Sequence, residues 1–273
     1  MLNALIVVWR ESLEAMLVIG VLLAWIARQS EPARLRRGLW YGVAAGLALA
    51  AALGFATFAA QSQLQGAALE IFQLGMVLFA CGLITQMVIW MHRHGRGIQR
   101  QLEEHASRAS GVVGIGAVTA LAVAREGAET VVFLYGLGIE ARGAELLGML
   151  GFAAGGFGLA AATAWLVARG ARFLSYRTVF GASEILLLLI AGALLGSGID
   201  RMIGMDWLPP LLDPVWDTSA LLSDGGGAGR LLADFLGYRA RPSATLLIAY
   251  AAFWSVILWR LARLDRTPAP ATC

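Results

Sequence analysis

Seven stretches of apolar sequence, each near the 20 or so residues that cross the hydrocarbon core of a bilayer, dominate this chain. They run Leu2–Ala27, Gly38–Ala60, Ala68–Trp90, Gly111–Gly136, Leu146–Ala168, Thr178–Ile199 and Ala244–Leu261. In lipid every backbone polar group must be satisfied internally, which leaves only helices and closed barrels. No block alternates with period two, as barrel strands do. The expected class is therefore all-α, a polytopic membrane protein of seven transmembrane helices. Composition agrees: 59% of residues are hydrophobic and 14% charged, with mean hydropathy +0.71, against roughly 25% charged in soluble domains. The 33 glycines suit closely packed membrane helices. A net charge of +3 calls for no nucleic-acid partner. Cys81 and Cys273 have neither disulfide-like nor metal-ligand spacing. The first block, with Arg10 inside it and two glutamates after, reads as a retained span rather than a cleaved leader.

All 21 cationic residues are arginine, and their placement sets an orientation. Arg28, Arg34, Arg36, Arg37, Arg93, Arg96, Arg100, Arg108, Arg169, Arg172, Arg177, Arg260, Arg263 and Arg266 fall on one side of the spans. Arg142, Arg201, Arg230, Arg239 and Arg241 fall on the other. The richer side is expected to be cytoplasmic, with the N-terminus outside and the C-terminus inside a cell membrane. Residues 1–266 then form one membrane domain, with an outer loop at 201–241, a seventh span at 244–261 and a disordered tail at 267–273.

The chain also repeats itself. Arg10-Glu11-Ser12-Leu13-Glu14 in the first block answers Arg125-Glu126-Gly127-Ala128-Glu129 in the fourth, and Glu70-Ile71 answers Glu184-Ile185 at nearly the same offset. This predicts repeat one at 1–91 and repeat two at 111–200. Three spans per copy is odd, so the copies must be inverted, an architecture that places the substrate site near the midplane.

An ionisable residue at a helix centre costs about 2.5–3.5 kcal/mol on insertion, and two blocks carry three each. Residues three and four apart share a helix face, so Arg10, Glu11 and Glu14 point together, as do Arg125, Glu126 and Glu129. Two such faces meeting would gather four carboxylates and two guanidiniums, a cation site with Arg10 and Arg125 balancing charge. Carboxylate oxygens suit hard ions: ferric or ferrous iron, manganese, magnesium and calcium all remain open, and copper and zinc are disfavoured. The plainer alternative is a pair of buried Arg–Glu clamps without a substrate. Glu70 and Glu184 are read as outer and inner gating carboxylates, or as interfacial residues reaching headgroup water. His92, His94 and His105 could receive a cation inside, against the electrostatics of their arginine neighbours. No Walker A sequence appears, so direct ATP use is not expected. An intramembrane carboxylate enzyme is a further reading, but it would need one catalytic pair rather than two matched ones. The expectation is a transporter, not an enzyme.

Two Arg-Glu-x-x-Glu motifs in the first and fourth of seven spans resemble the high-affinity iron permeases, both the fungal oxidase-coupled proteins and the compact bacterial EfeU-type ones. Trp90-Met91 and the outer Trp216-Asp217-Thr218-Ser219 segment followed by Gly237-Tyr238 share in that resemblance. It implies inward iron transport, with Glu11, Glu14, Glu126 and Glu129 as metal ligands, and it raises Asp217 above the other loop aspartates as a candidate ligand. It implies no tightly bound cofactor, iron being the substrate, and a ferroxidase or a periplasmic iron-delivery protein as partner. Lead has also been associated with the wider family, so lead or manganese stands as the alternative cargo.

Overall fold

The computed structural model describes residues 2–94, 111–138, 144–169 and 176–266, which form eight helices and no strand. His105 and the tail 267–273 lie outside the described residues, as does the His94 side chain. The helices are α1 (Leu2–Ile26), α2 (Pro32–Gln63), α3 (Gly66–His94), α4 (Gly111–Gly138), α5 (Ala144–Ala168), α6 (Tyr176–Gly204), α7 (Gly227–Leu236) and α8 (Ala244–Arg266). Six of them, α2 to α6 and α8, are long and apolar enough to cross a bilayer. The 25-residue α1 is long enough too, but Arg10, Glu11 and Glu14 fall within every 18-residue stretch of it. Each apolar block of the sequence lies mostly within one long helix, and α7 is an addition between α6 and α8.

The described chain divides into two compact units. Unit one, Met1–Gln73 and Arg96–Ser183, contains α1, α2, α4 and α5 with the first turns of α3 and α6. Within it α2 packs along α4, and α1 packs against both α5 and α4. The α2–α4 seam depends on Gly38, Gly42 and Gly46, one per turn of α2. A Cβ on Gly38 would collide with the Val112 carbonyl, one on Gly42 with the Gly116 carbonyl, and one on Gly46 would stand 2.7 Å from Val123 Cβ. Small residues let membrane helices approach by van der Waals contact where no hydrophobic drive exists between them. The α1–α5 seam uses the same device: Gly156 sits against the backbone of Leu5 and Trp9. There the Trp9 indole N–H also donates to Thr163 Oγ1 at 3.2 Å. Leu22, Ile26, Leu39 and Ile115 close one end of the unit as a buried cluster.

Unit two, Leu74–Gly95 and Glu184–Cys273, contains most of α3 and α6 together with α7 and α8. Its α6 is the most enclosed of the long apolar helices. Gly198 of α6 lies against Leu78 of α3, and Gly192 lies against Tyr250 and Trp254 of α8. The segment between α6 and α8 is an ordered cap. Thr218 N–H donates to Ala240 O and Val215 N–H to Pro242 O, both at 2.9 Å. The Arg239 guanidinium ties this cap to α6 through Asp200 Oδ2 at 2.8 Å and Ser197 Oγ at 3.1 Å. Gly237, at φ 65°, ends α7 in the left-handed conformation that glycine adopts without a Cβ penalty. Ser243, just after Pro242, caps the start of α8 by accepting from Leu246 N–H at 3.2 Å.

Candidate functional site

Both Arg-Glu-x-x-Glu motifs lie in unit one, Glu11 as the tenth residue of α1 and Glu126 as the sixteenth of α4. Because α1 packs on α4, the two motifs face one another. One carboxylate oxygen each from Glu11, Glu126 and Glu129 lies within 4.8 Å of the other two. Glu11 is 1% exposed, and Glu126 and Glu129 are largely enclosed. Each of the three keeps a buried Oε2 with no hydrogen-bond partner among the described residues. An unsatisfied buried polar atom costs about 1–3 kcal/mol, more when charged. Three such oxygens around one point are a set that a bound proton or cation would satisfy. A cation of about 2.1 Å bond length holds its oxygens about 3–4.2 Å apart, so modest side-chain rotation closes the triplet on an ion.

The arginines are not equivalent. Arg10 is 1% exposed and holds Glu11 Oε1 at 2.9 Å and Glu14 Oε1 at 2.6 Å. Arg125 is 52% exposed, holds Glu129 Oε1 at 2.9 Å and stands 3.9 Å from Glu126 Oε1. Glu14 thus turns to its own arginine and stays out of the triplet, whereas Glu129 belongs to both. Of the four carboxylates, Glu11, Glu126 and Glu129 have oxygens within 4.8 Å of one another, and Glu14, paired with Arg10, lies outside that spacing.

The remaining sequence candidates lie elsewhere. Glu70 is exposed on the second turn of α3, within unit one. In unit two, Glu184 Oε2 stands 3.8 Å from His92 Nδ1. Asp217, also in unit two, is half exposed, and both its oxygens have protein partners. Oδ1 accepts from Ser219 N–H at 3.0 Å and Ser219 O–H at 2.6 Å, and Oδ2 pairs with Arg241 Nη2 at 2.9 Å. The Ser219 hydrogen bonds, then the Arg241 guanidinium, hold the Asp217 carboxyl down to about 2. Thr218 Oγ1 and Tyr238 Oη share a 2.6 Å hydrogen bond, and Tyr238 O–H is also within 3.0 Å of Leu222 O. The Trp216–Ser219 and Gly237-Tyr238 segments, singled out for resemblance, are thus fasteners of the cap between α6 and α8.

Sequence reasoning did not single out Ser12 and Thr130, which line a cavity of about 1000 Å³ beside Glu11 and Glu126. Their positions next to or within the motifs were the available signal. It also gave no sign that Asp200 and Arg239, far apart in the chain, would meet.

Comparison with known proteins gives this arrangement a family. A protein of Archaeoglobus fulgidus without assigned function is 29% identical over 94% of this chain and 93% of its own length. The ferrous iron permease EfeU of Escherichia coli O6:H1 is 26% identical over 93% of this chain and 91% of its own. High affinity iron permease 1 of Rhizopus delemar is 24% identical over 91% of this chain and 77% of its own. No solved structure matches. The iron permease FTR1 family matches residues 1–262, so this multi-pass membrane protein, with its paired glutamate motifs, belongs to that family.

Proposed function

We propose that this chain carries iron inward across a cell membrane, using Glu11, Glu126 and Glu129 as the central ligands. The observation that carries the reading is the buried carboxylate triplet, each member with an unpartnered oxygen, in a chain whose relatives are named iron permeases. Arg10 and Arg125 balance the charge, so that four glutamates and two arginines leave two net negative charges for a divalent cation to meet. Glu14 tunes the site through Arg10 instead of ligating first.

The topology of this reading is seven spans, α1 included, in an inverted three-plus-three repeat followed by α8. Reciprocal packing supports it: the second helix of each proposed repeat lies against the first helix of the other, α2 on α4 and α5 on α1. The proposed orientation has the N-terminus outside and the C-terminus in the cytoplasm. It draws support from Arg169 stacked on Trp165 at 4.1 Å and Arg263 on Trp259 at 4.0 Å, aromatic–cation pairs at ends assigned to the inner face. In this frame Glu70 is the outer gate and Glu184, beside His92, the inner one. Asp217 is an outer carboxylate that a cation reaches only by displacing Arg241 or Ser219. A ferroxidase or a periplasmic protein would supply iron to the outer face.

The test is iron flux into liposomes holding the purified chain. Glu11→Gln, Glu126→Gln and Glu129→Gln each reduce flux to background, and Glu14→Gln retains a measurable fraction. Wild-type flux in Glu126→Gln would sink the proposal. Carboxylates alone do not choose among hard cations, so competition by ferrous, ferric, manganese and lead ions in the same assay ranks the cargo.

A further inference from the structure

The cavity beside the motifs approaches two of the three clustered carboxylates from the flank of the unit. It is lined by α1, α2, α4 and α5, with Glu11 and Glu126 at one part of its wall and Ser12 and Thr130 near them. The rest is almost wholly apolar. Among the lining residues, Trp40, Leu47 and Phe157 are each more than half exposed, so in a bilayer this groove meets acyl chains. Glu11 and Glu126 are both more than nine-tenths buried, and each has an Oε2 without a hydrogen-bond partner.

Such a groove is a poor path for a metal ion, because its walls offer no ladder of oxygens to replace lost water. A phospholipid tail would cover the apolar walls but leave the Glu11 and Glu126 oxygens without a partner, its charged groups being held at the interface. A second copy of the chain has no cation to offer from the middle of a span, since Arg10 and Arg125 are the only arginines there and both are paired. An amphiphile with a cationic head and a single alkyl chain satisfies every wall. Its ammonium meets the two carboxylates and its tail lies along the apolar face of α1 and α2. The volume is at the upper end of the roughly 300–1,000 Å³ usual for small-molecule sites.

We propose that this membrane-facing groove is a binding site for long-chain alkyl ammonium ions, which reach Glu11 and Glu126 from the lipid and exclude a metal from them. The site rests on the placement of the same carboxylates that the transport reading uses, but it is measured without metal. Radiolabelled dodecylamine is titrated into phosphatidylcholine nanodiscs holding the chain, with chelator present and empty nanodiscs subtracted. One saturable site per chain is expected, with dodecanol and dodecanoate binding at least tenfold more weakly. Gly20→Leu and Ala51→Phe project bulk into the groove from positions with room for it, Gly20 having no atom within 4 Å of an added Cβ and Ala51 being exposed. Either should weaken dodecylamine at least tenfold, as should Glu126→Gln.

Equal affinity for dodecanol, absence of a saturable component, or undiminished binding in folded groove-filled chains would overturn the proposal. If neither filled variant assembles, the wild-type chain still decides in a second titration without chelator: manganese must displace dodecylamine, and simultaneous binding of both refutes the site. Dodecylamine bound by a chain that moves no iron would overturn the transport reading alone. Iron flux lost in Glu126→Gln with dodecylamine binding intact would overturn this one alone.

Discussion

Replacing Gly42 by alanine adds one methyl group at the seam between α2 and α4. That methyl would overlap the Gly116 carbonyl oxygen and stand 2.8 Å from Thr119 Cβ and 3.1 Å from Ala120 N. Carbon atoms prefer about 3.5–4.0 Å, and the obstacles are backbone and a Cβ rather than a flexible chain end, so the helices must part by about 1 Å. Overpacking of this kind costs about 1–3 kcal/mol, and alanine returns about 1 kcal/mol in helix propensity. Net destabilisation is therefore about 0–2 kcal/mol, a few degrees in melting temperature at about 2–4 °C per kcal/mol. The functional effect should be larger, because α4 carries Glu126 and Glu129 and metal–ligand distances tolerate only about 0.2 Å. Displaced supporting structure typically costs about 10–100-fold in metal affinity or activity. Gly42→Ala should thus lose at least tenfold in iron flux at low iron while melting within a few degrees of the wild type. Gly82→Ala on α3, with nothing near its added Cβ, should melt slightly higher and transport normally. A Gly42→Ala chain with wild-type flux and an unchanged melt would refute the argument that this seam sets the carboxylate geometry.

Breaking the Arg10 clamp provides a second check. Removing one partner of a buried pair costs about 3–5 kcal/mol, so Arg10→Gln should melt far below the wild type, and adding Glu14→Gln should restore part of the loss in a double-mutant cycle. The cap between α6 and α8 should respond to acid. The folded carboxyl of Asp217 is held down to about 2, below its ordinary value near 3.9, so its stabilising contribution is complete above about pH 4 and disappears as pH falls toward 2. Hydrogen-exchange protection in 212–219 and 238–244, relative to the unstructured rate at each pH, should fall across that window, and Asp217→Asn should show low protection at every pH. Thr218→Val removes one hydrogen bond from Tyr238 and should cost the cap about 1 kcal/mol, read by proteolysis of the outer segment.

Much of the helical layout was legible because a bilayer leaves so few options. The apolar blocks end where hydropathy falls, but the helices continue. Thus α2 begins at Pro32, and Arg34, Arg36 and Arg37 extend it beyond the apolar block. Pro32 can occupy the first turn because its missing N–H has no intrahelical partner there. The ten-residue α7 was not legible: it is too short to stand out in a segment rich in Gly and Asp, although Leu231, Leu232 and Phe235 follow a helical spacing. At the site, i,i+4 spacing made both Arg–Glu pairs visible. It could not show that Glu129 would join Glu11 and Glu126 while Glu14 stayed with Arg10, because that depends on how α1 and α4 are rotated against each other.

The unequal exposure of Arg10 and Arg125 bears on how such a molecule could alternate. In the inverted repeat proposed above, rocking of one half against the other would open the central site to each side in turn. Such rocking, with the halves related by symmetry, would enclose Arg125 and open Arg10, so each arginine would serve in turn as the locked and the released counterion. A single-cysteine reporter replacing a neighbour of each arginine would then show reciprocal labelling as iron is added. The two motifs, which share their arginine and both glutamates, would be the two positions of one toggle.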